Sequence, residues 1–297
     1  MPIWTDNQDY NTQVQDLLPF DVSEITADKM RDFLQSSIRT IIDSIPKEAL
    51  SLYALTETSI LSATGGGFNA TNKKIINVLQ GTNYSVERPY TDIFDIADEN
   101  SMHFATSSSP AFVISPTGVL KTYPVFGNNS SVSRSVDYIE YPKILSTDTV
   151  ISKKYTYSSL STNAATNQIV YLPAGHKAQQ GAEVKLSGFT QATDLNNKWF
   201  SVKTTTSNTM DLIEEGDNAV YNITQSETSN TGVAEIYYPY PRTFDYPMIL
   251  LTAIKVAQFL LGRFIHTAED IELTNSMQLE IANLQTMYQE EMKRIIG

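Results

Sequence analysis

The sequence predicts an α+β protein: a helical bundle formed by N- and C-terminal helices, with a β-hairpin and an inserted small all-β module, sandwich-like or barrel-like. Apolar residues recur at helical spacing near both ends of the 297-residue chain. Alternating, strand-like runs fill a stretch rich in Thr, Ser, Asn and Gly at 148–238. Because neither helical end can leave its apolar face in water, the two ends should pack together. The predicted domains are a discontinuous helical domain, 1–147 with 239–297, and a β domain, 148–238.

The first strong element is a predicted amphipathic helix from Thr26 to Ile45. Its apolar residues fall three or four positions apart: Met30, Phe33, Leu34, Ile38, Ile41, Ile42 and Ile45. Pro46 ends or bends this helix. A second apolar set precedes the glycines at 65–67 and predicts an αα-hairpin, with Leu50, Tyr53, Leu55, Ile60 and Leu61.

A β-hairpin is predicted within a region of short strand-like segments between about Thr71 and Lys143. Ala111–Ile114 and Val119–Tyr123 consist largely of aromatic and β-branched residues, which suit a pleated surface. Between them, Pro116-Thr117-Gly118 has the composition of a turn. These residues are therefore expected to form the hairpin tip.

The stretch 148–238 is predicted to be a separate β module. Alternating runs recur at 168–172, 182–186, 199–203 and 209–213, separated by turn residues. This spacing is typical of a small sandwich or barrel. Its predicted core includes Val184, Leu186, Trp199, Phe200 and Leu212.

Helical character returns after Pro241. Asp245 is expected to cap a helix in which Pro247 takes an early position, and Met248 to Ile265 is apolar except for a narrow polar stripe. This pattern predicts a helix buried on most of its circumference rather than a membrane span. Thr267 with Asp270 then resembles a capping box for a last helix, Ala268 to Ile296.

The two C-terminal helices carry more apolar surface than the N-terminal helices can cover. A neighbouring subunit is the simplest further cover, and the alternative is that the last helix alone covers its partner within the same chain. The candidate subunit-interface residues are Leu260, Phe264, Met277, Ile281, Leu284 and Tyr288.

The charge balance excludes a protein that wraps nucleic acid through a basic face. The formal net charge is -12 and the pI about 4.7, with scattered Lys and Arg. The chain has no cysteine, which excludes disulfides and thiolate zinc sites and fits synthesis in the cytoplasm. The N-terminus has no pattern of a secretory signal, so no export is implied.

No motif for catalysis is found, so the chain is predicted not to be an enzyme and to have no catalytic, cofactor-binding or metal-binding residues. Its three histidines, His103, His176 and His266, form no ligand-spaced pair. Two carboxylate clusters are interpreted as solvated turns, Asp95 with Asp98 and Glu99, and Glu214 with Glu215 and Asp217. Several of the sixteen tyrosines flank prolines, as at 237–241. This pattern favours aromatic–proline packing at a domain junction over a platform that binds a ligand.

Two stretches resemble known virion proteins. The segments 101–106, 110–114 and 118–124, followed by the tyrosine-rich 136–142, resemble part of neck or adaptor-like structural proteins of tailed bacteriophages. The segments 175–177, 181–189, 195–202 and 208–212 are similar to a β module common in phage virion proteins. The resemblance covers more than half of the chain.

The resemblance implies a structural subunit of the head-to-tail connector, assembled in the host cytoplasm and located in the virion. It implies a homo-oligomeric ring of twelve copies, which contacts the portal protein and tail, nozzle or other neck proteins. Genomic DNA would pass through the ring without specific binding, and no membrane is involved.

Two other classes of function remain open at this stage. One is a tail-associated protein that binds glycans or degrades the cell wall, which would use the tyrosines and the β module. The other is a capsid-decorating or head-fibre protein. Symmetry separates the latter from a ring, because decoration follows the capsid lattice whereas a ring is a closed cyclic oligomer.

Overall fold

The computed structural model describes residues 9–51, 54–57, 67–125, 133–141, 154–170, 178, 180–206, 208–214, 219–237, 242–267 and 271–296. The chain divides into two compact units. The helix–barrel unit comprises Met1–Pro46 with Tyr141–Gly297, and the two-sheet unit comprises Lys47–Glu140. The predicted division into a helical domain and a β domain at 148–238 stays a prediction.

Helices and strands are both well represented, so the predicted α+β class is confirmed. The described helices are α1 (Tyr10–Asp16), α2 (Ala27–Ser44), α3 (Lys47–Leu50), α4 (Ile93–Ala97), α5 (Asp245–Thr267) and α6 (Ile271–Ile296). The described strands are β1 (Leu55–Glu57), β2 (Phe68–Asn69), β3 (Lys73–Gln80), β4 (Asn83–Tyr84), β5 (Val86–Glu87), β6 (Ala111–Ile114), β7 (Val119–Tyr123), β8 (Arg134–Glu140), β9 (Lys154–Asn163), β10 (Gln168–Val170), β11 (Glu183–Ser187), β12 (Trp199–Thr205), β13 (Thr209–Glu214) and β14 (Gly232–Tyr237).

Helix α2 forms where the periodicity predicts it. The Thr26 side chain accepts a hydrogen bond from the Lys29 N–H at 3.3 Å, which satisfies one of the free donors of the first turn. The apolar residues at helical spacing are buried: Met30, Leu34, Ile38, Ile41 and Ile42. The helix ends at Ser44, two residues before Pro46, because a proline disfavours helical backbone at the residue before it.

The αα-hairpin predicted after Pro46 is wrong in its described part. Only the four residues of α3 are helical, and Leu55–Glu57 forms strand β1, which pairs antiparallel with β8. The Thr56 hydroxyl donates a hydrogen bond of 2.6 Å to Asp137 on the partner strand. Over so few residues, the apolar spacing is compatible with either a helix or a strand. The pairing with β8 therefore determines that the segment is a strand. Tyr53, Ile60 and Leu61 lie outside the described residues.

The two-sheet unit consists of two four-stranded sheets. Their strand orders are β1-β8-β3-β4 and β2-β7-β6-β5. The chain changes sheet several times, and one of these changes occurs between β4 and β5, which are separated only by Ser85. Phe68 on β2 contacts Tyr138 on β8 with ring centroids 5.0 Å apart, so aromatic side chains join the sheets.

The predicted hairpin at 111–123 is confirmed. Strands β6 and β7 pair antiparallel, with Ala111 opposite Tyr123 and Ile114 opposite Leu120. At the tip, the Gly118 N–H donates to the Ser115 carbonyl at 2.8 Å, and Gly118 has a φ of +78°. A Cβ there would lie 2.3 Å from the Thr71 hydroxyl oxygen, so the turn needs glycine for its backbone and for space.

The predicted β module contains a closed six-stranded barrel of order β10-β13-β12-β11-β14-β9. In β11, buried side chains alternate with more exposed ones, and the barrel interior is filled with apolar groups. Val184, Leu186, Phe200 and Leu212 are buried there, as predicted.

Trp199 is not part of the barrel core, contrary to prediction. It precedes Phe200 in β12, and two successive strand residues cannot both point inward. Trp199 is half-buried and packs on Tyr237, with ring centroids 5.3 Å apart and the Lys185 ammonium 5.8 Å from the indole centroid. The alternation in β12 therefore assigns the core position to Phe200.

Candidate functional site

The candidate interface residues lie on α5 and α6, which are consecutive helices that pack against each other. Leu260, Met277, Ile281 and Leu284 are buried within the single chain. Phe264 and Tyr288 keep part of their surface exposed. The first four are thus covered without a neighbouring subunit, as the intrachain alternative expects. The assignment of the six residues to a subunit interface stays a prediction.

Helix α5 is the centre of the helical part, because it packs against α1, α2 and α6. Its Lys255 ammonium donates a 2.8 Å hydrogen bond to the Ser36 hydroxyl of α2, and burial lowers the pKa of this lysine. Arg263 forms a 3.0 Å ion pair with Glu24, on the segment before α2. The predicted meeting of the N- and C-terminal helices is therefore present within the helix–barrel unit.

The start of α5 differs from the sequence prediction. The helix begins at Asp245, which had been expected to precede it as a cap, and the Asp245 carboxylate accepts a buried 2.9 Å hydrogen bond from the Tyr10 hydroxyl. Tyr10 lies 235 residues earlier in the chain, in α1. Sequence reasoning assigned no role to α1, since seven residues give too short a periodic pattern.

Between Asp245 and Ile265, the last buried side chain of α5 is Leu260. The side chains from Leu261 to Ile265 are partly or fully exposed, and Ile265 exposes 55% of its surface. On α6, Leu279 is 65% exposed and Ile296 is also exposed. We call Ile265, Leu279 and Ile296, with the part-exposed Phe264 and Tyr288, the hairpin surface. Its residues are spread along both helices, and Leu279 and Tyr288, nine positions apart on α6, lie on opposite faces of that helix.

Among the described residues of the helix–barrel unit, every exposed large apolar side chain belongs to the hairpin surface. The described residues of the barrel contribute none. Burial raises the pKa of Tyr288, and a hydrogen bond with Ser44 at the end of α2 opposes that rise. The hydroxyl of Tyr288 is therefore engaged within the chain, while the rest of the surface offers apolar contact area.

The residues considered for catalysis do not converge in the described part of the chain. Asp95, Asp98 and Glu99 are exposed, and Asp98 accepts hydrogen bonds from Asn100 two residues on, as in a simple turn. Glu214 lies 3.9 Å from the Lys198 ammonium, whereas Glu215, Asp217 and His176 lie outside the described residues. Within the described ranges, no three His, Asp or Glu side chains form a group that could hold a metal ion.

The tyrosines near the domain junction give little support to a ligand platform. Tyr237 is only 7% exposed and packs against Trp199, so its ring face is already occupied. Burial, with the nearby Glu291 charge, raises the pKa of Tyr246, which lies in the first turn of α5. Tyr238 and Tyr240 lie outside the described residues.

One buried carboxylate was missed by sequence reasoning. Glu227, in the segment between β13 and β14, is fully buried and accepts hydrogen bonds from the N–H groups of Gln191 (2.6 Å), Thr190 (2.7 Å) and Ser229 (3.1 Å). Its own N–H donates to the Thr162 hydroxyl at 2.7 Å. The hydrogen bond from the Gln191 backbone, followed by those from Thr190 and Ser229, lowers the pKa of Glu227 to about 2. Because all its donors come from protein segments of the barrel, Glu227 is a structural carboxylate.

The barrel is expected to lose stability in acid through Glu227. The folded-state pKa is about 2 against an ordinary 4.5, so the ionised carboxylate stabilises the fold fully above pH 4.5, and this stabilisation is lost as the pH falls toward 2. Trp199 fluorescence, in a chain carrying Trp4→Phe, reports barrel unfolding in urea between pH 7 and about 2. At neutral pH, Glu227→Gln should unfold at a lower urea concentration than the unmodified chain. Below pH 4.5, the midpoint urea concentration of this variant should change less with pH. Glu214→Gln, which removes an exposed barrel carboxylate, is the matched control; equal pH profiles for Glu227→Gln and the unmodified chain would contradict this account.

Helix α5 also passes a simple test for membrane spans. By length and composition alone, Asp245–Ile265 is long and apolar enough to cross a bilayer. A core helix of a soluble protein passes the same test, and α5 packs against three other helices of the chain. The predicted lack of a membrane role stays a prediction.

Comparisons with protein-family models, with curated proteins and with solved structures find no match to this chain. The candidate site is therefore defined here by its own geometry, as the hairpin surface of the helix–barrel unit.

Proposed function

We propose that this chain is a non-enzymatic structural subunit of a phage head-to-tail connector, in which copies associate into a closed ring through the hairpin surface. The observation that carries the proposal is the distribution of exposed apolar side chains. In the described part of the helix–barrel unit they are confined to α5 and α6. Exposed apolar side chains that are confined to one pair of helices, rather than spread over the whole unit, support an interaction site on those helices.

The proposal includes a finer assignment of the fold. The helical part would be the adaptor-like portion of the subunit, and the barrel would be the inserted β module that the resemblance implies. Helix α5 packs against three other helices, so a neighbouring subunit would meet a surface that is ordered before assembly. A pre-organised surface loses less conformational entropy on binding.

The charge of the chain suits a channel that DNA crosses. With a net charge of -12, an exposed channel wall would repel phosphates rather than bind them. The ring, proposed to contain twelve copies, would join the portal protein to tail, nozzle or other neck proteins in the virion. Assembly would take place in the host cytoplasm.

Charge substitutions on the hairpin surface test this proposal. Ile265→Glu combined with Leu279→Glu places two carboxylates on exposed positions, so the variant should fold. We expect the unmodified chain to form a closed cyclic oligomer in sedimentation velocity and electron microscopy, and the double variant to remain a folded monomer. A carboxylate buried without a partner in a subunit contact would oppose association.

Gln258→Glu combined with Gln285→Glu is the matched control, because it also adds two carboxylates to exposed positions of α5 and α6 outside the hairpin surface. It should assemble normally. Assembly of the double variant into the same ring, or a monomeric unmodified chain at high concentration, would contradict the proposal.

A further inference from the structure

The two-sheet unit also exposes apolar side chains, and these are concentrated in one segment. We call residues 84–102 the docking loop. Its exposed large apolar residues are Tyr84, Val86, Tyr90, Phe94 and Met102. Phe94 is 82% exposed and Met102 is 99% exposed. Outside the loop, Val125 is the other exposed large apolar residue in the described part of this unit. The exposed apolar residues of the unit are therefore concentrated in the docking loop.

The docking loop is held in place by backbone hydrogen bonds near its start and at its middle. The Val86 N–H donates to the Pro110 carbonyl and the Arg88 N–H to the Phe112 carbonyl, each at 2.9 Å, which fixes β5 against β6. Further along, the Ala105 N–H donates to the Ile96 carbonyl at 3.0 Å.

A buried apolar residue anchors the middle of the loop. Ile96 on α4 packs in a core cluster with Ala105, Ala111 and Val113. Phe94, on the same short helix, points to solvent while Ile96 is buried. The exposed side chains thus stand on a well-anchored backbone, and a partner would pay little conformational entropy to bind them.

The charge of the docking loop selects the kind of partner. Its carboxylates are Glu87, Asp92, Asp95, Asp98 and Glu99, against the single cation Arg88. Glu87 is partly neutralised by Lys47 at 3.3 Å, which leaves the acidic character around Phe94 and Met102. A second copy of the same loop would bring like charges together, and nucleic acid would be repelled. A basic protein surface is complementary.

We propose that the docking loop binds a different protein, whose surface offers apolar contacts for Phe94 and for Met102 bordered by lysine or arginine. Large apolar side chains that enter a pocket supply most of the binding energy in such contacts, and surrounding charges supply specificity and speed of association. The loop lies in the two-sheet unit, so this proposal stands apart from ring formation through the hairpin surface.

The test uses the purified full-length chain and a random peptide library displayed on yeast. We expect selection to enrich peptides that combine apolar residues with lysine or arginine. Their affinity should fall at least about tenfold for Phe94→Ser with Met102→Ser, because two apolar anchors are removed. Both residues are exposed, so the variant should keep its circular dichroism spectrum and melting temperature. Val125→Ser, which changes an exposed apolar residue of the same unit outside the loop, should bind like the unmodified chain.

A charge variant tests the second half of the proposal. Asp92→Asn, Asp95→Asn and Asp98→Asn together should weaken binding of the selected peptides and reduce its dependence on salt concentration. Failure to enrich peptides, enrichment of acidic peptides, or equal binding to the Phe94/Met102 variant would each overturn the proposal.

Sedimentation velocity of the same Phe94/Met102 variant separates a second copy from a different protein. An unchanged oligomeric state is expected. If the variant lost self-association, the docking loop would contact another copy of this chain, and the proposal of a basic partner would be wrong. Loss of ring formation in the hairpin-surface variant, with peptide binding retained, would show that the two surfaces act independently.

Discussion

Leu260→Glu is expected to unfold the helical part of the helix–barrel unit. Leu260 is completely buried in the single chain, on the helix that packs against α1, α2 and α6. A carboxylate at this position would lose its hydration without gaining a partner, and the leucine packing would be lost as well. The cost is about 3–5 kcal/mol, which is comparable with the whole stability of many domains. Loss of the helical signal in circular dichroism, at temperatures where the unmodified chain is folded, is the measurement.

Gln258→Glu alone is the matched control, because it places the same charge two residues earlier on the exposed side of α5. It should melt within a few degrees of the unmodified chain. A Leu260→Glu variant that remained folded but failed to assemble would contradict the intrachain burial described here, and would place Leu260 on a subunit face instead.

Gly232→Ala is expected to destabilise the barrel strongly. Gly232 begins β14 at a register shift against β9, and a Cβ there would lie 2.3 and 2.4 Å from ring carbons of Phe189 and 2.9 Å from the Leu160 carbonyl oxygen. Phe189 is itself buried in the barrel core, so its ring cannot move into solvent without exposing apolar surface. Overpacking of this kind costs about 1–3 kcal/mol. Urea unfolding followed by Trp199 fluorescence, with Trp4→Phe, measures the loss.

Gly262→Ala is the matched control, since it makes the same chemical change in helix α5. A Cβ at Gly262 meets no atom within 4 Å. Alanine should stabilise the helix by up to about 1 kcal/mol, because glycine is the poorer helix former. The two substitutions should therefore shift stability in opposite directions. A shift of the same sign for both would mean that the close approach of Phe189 to Gly232 does not limit the barrel.

The missed features of this protein share one property: each depends on residues far apart in the chain. Strand β1 carries an apolar pattern that fits a helix, but its pairing with β8 determines its structure. Glu227 looks like any loop carboxylate in sequence, and only the meeting of three barrel segments around it lowers its pKa. The exposure of Phe94 and Met102 could not be predicted from the sequence either, because the sequence does not show which apolar side chains other segments cover.

The elements with long, local patterns can be predicted from the sequence alone. The 3.6-residue spacing in α2, α5 and α6 and the strand–turn–strand order at 111–123 are sufficient, since backbone geometry repeats within each element. Which apolar side chains are covered depends instead on tertiary packing. Leu260 and Ile265 are similar in sequence terms, yet one is buried and the other is 55% exposed. Their difference arises because α1 and α2 are brought to α5 from more than 200 positions away, and the extent of that packing is not encoded in the spacing within α5.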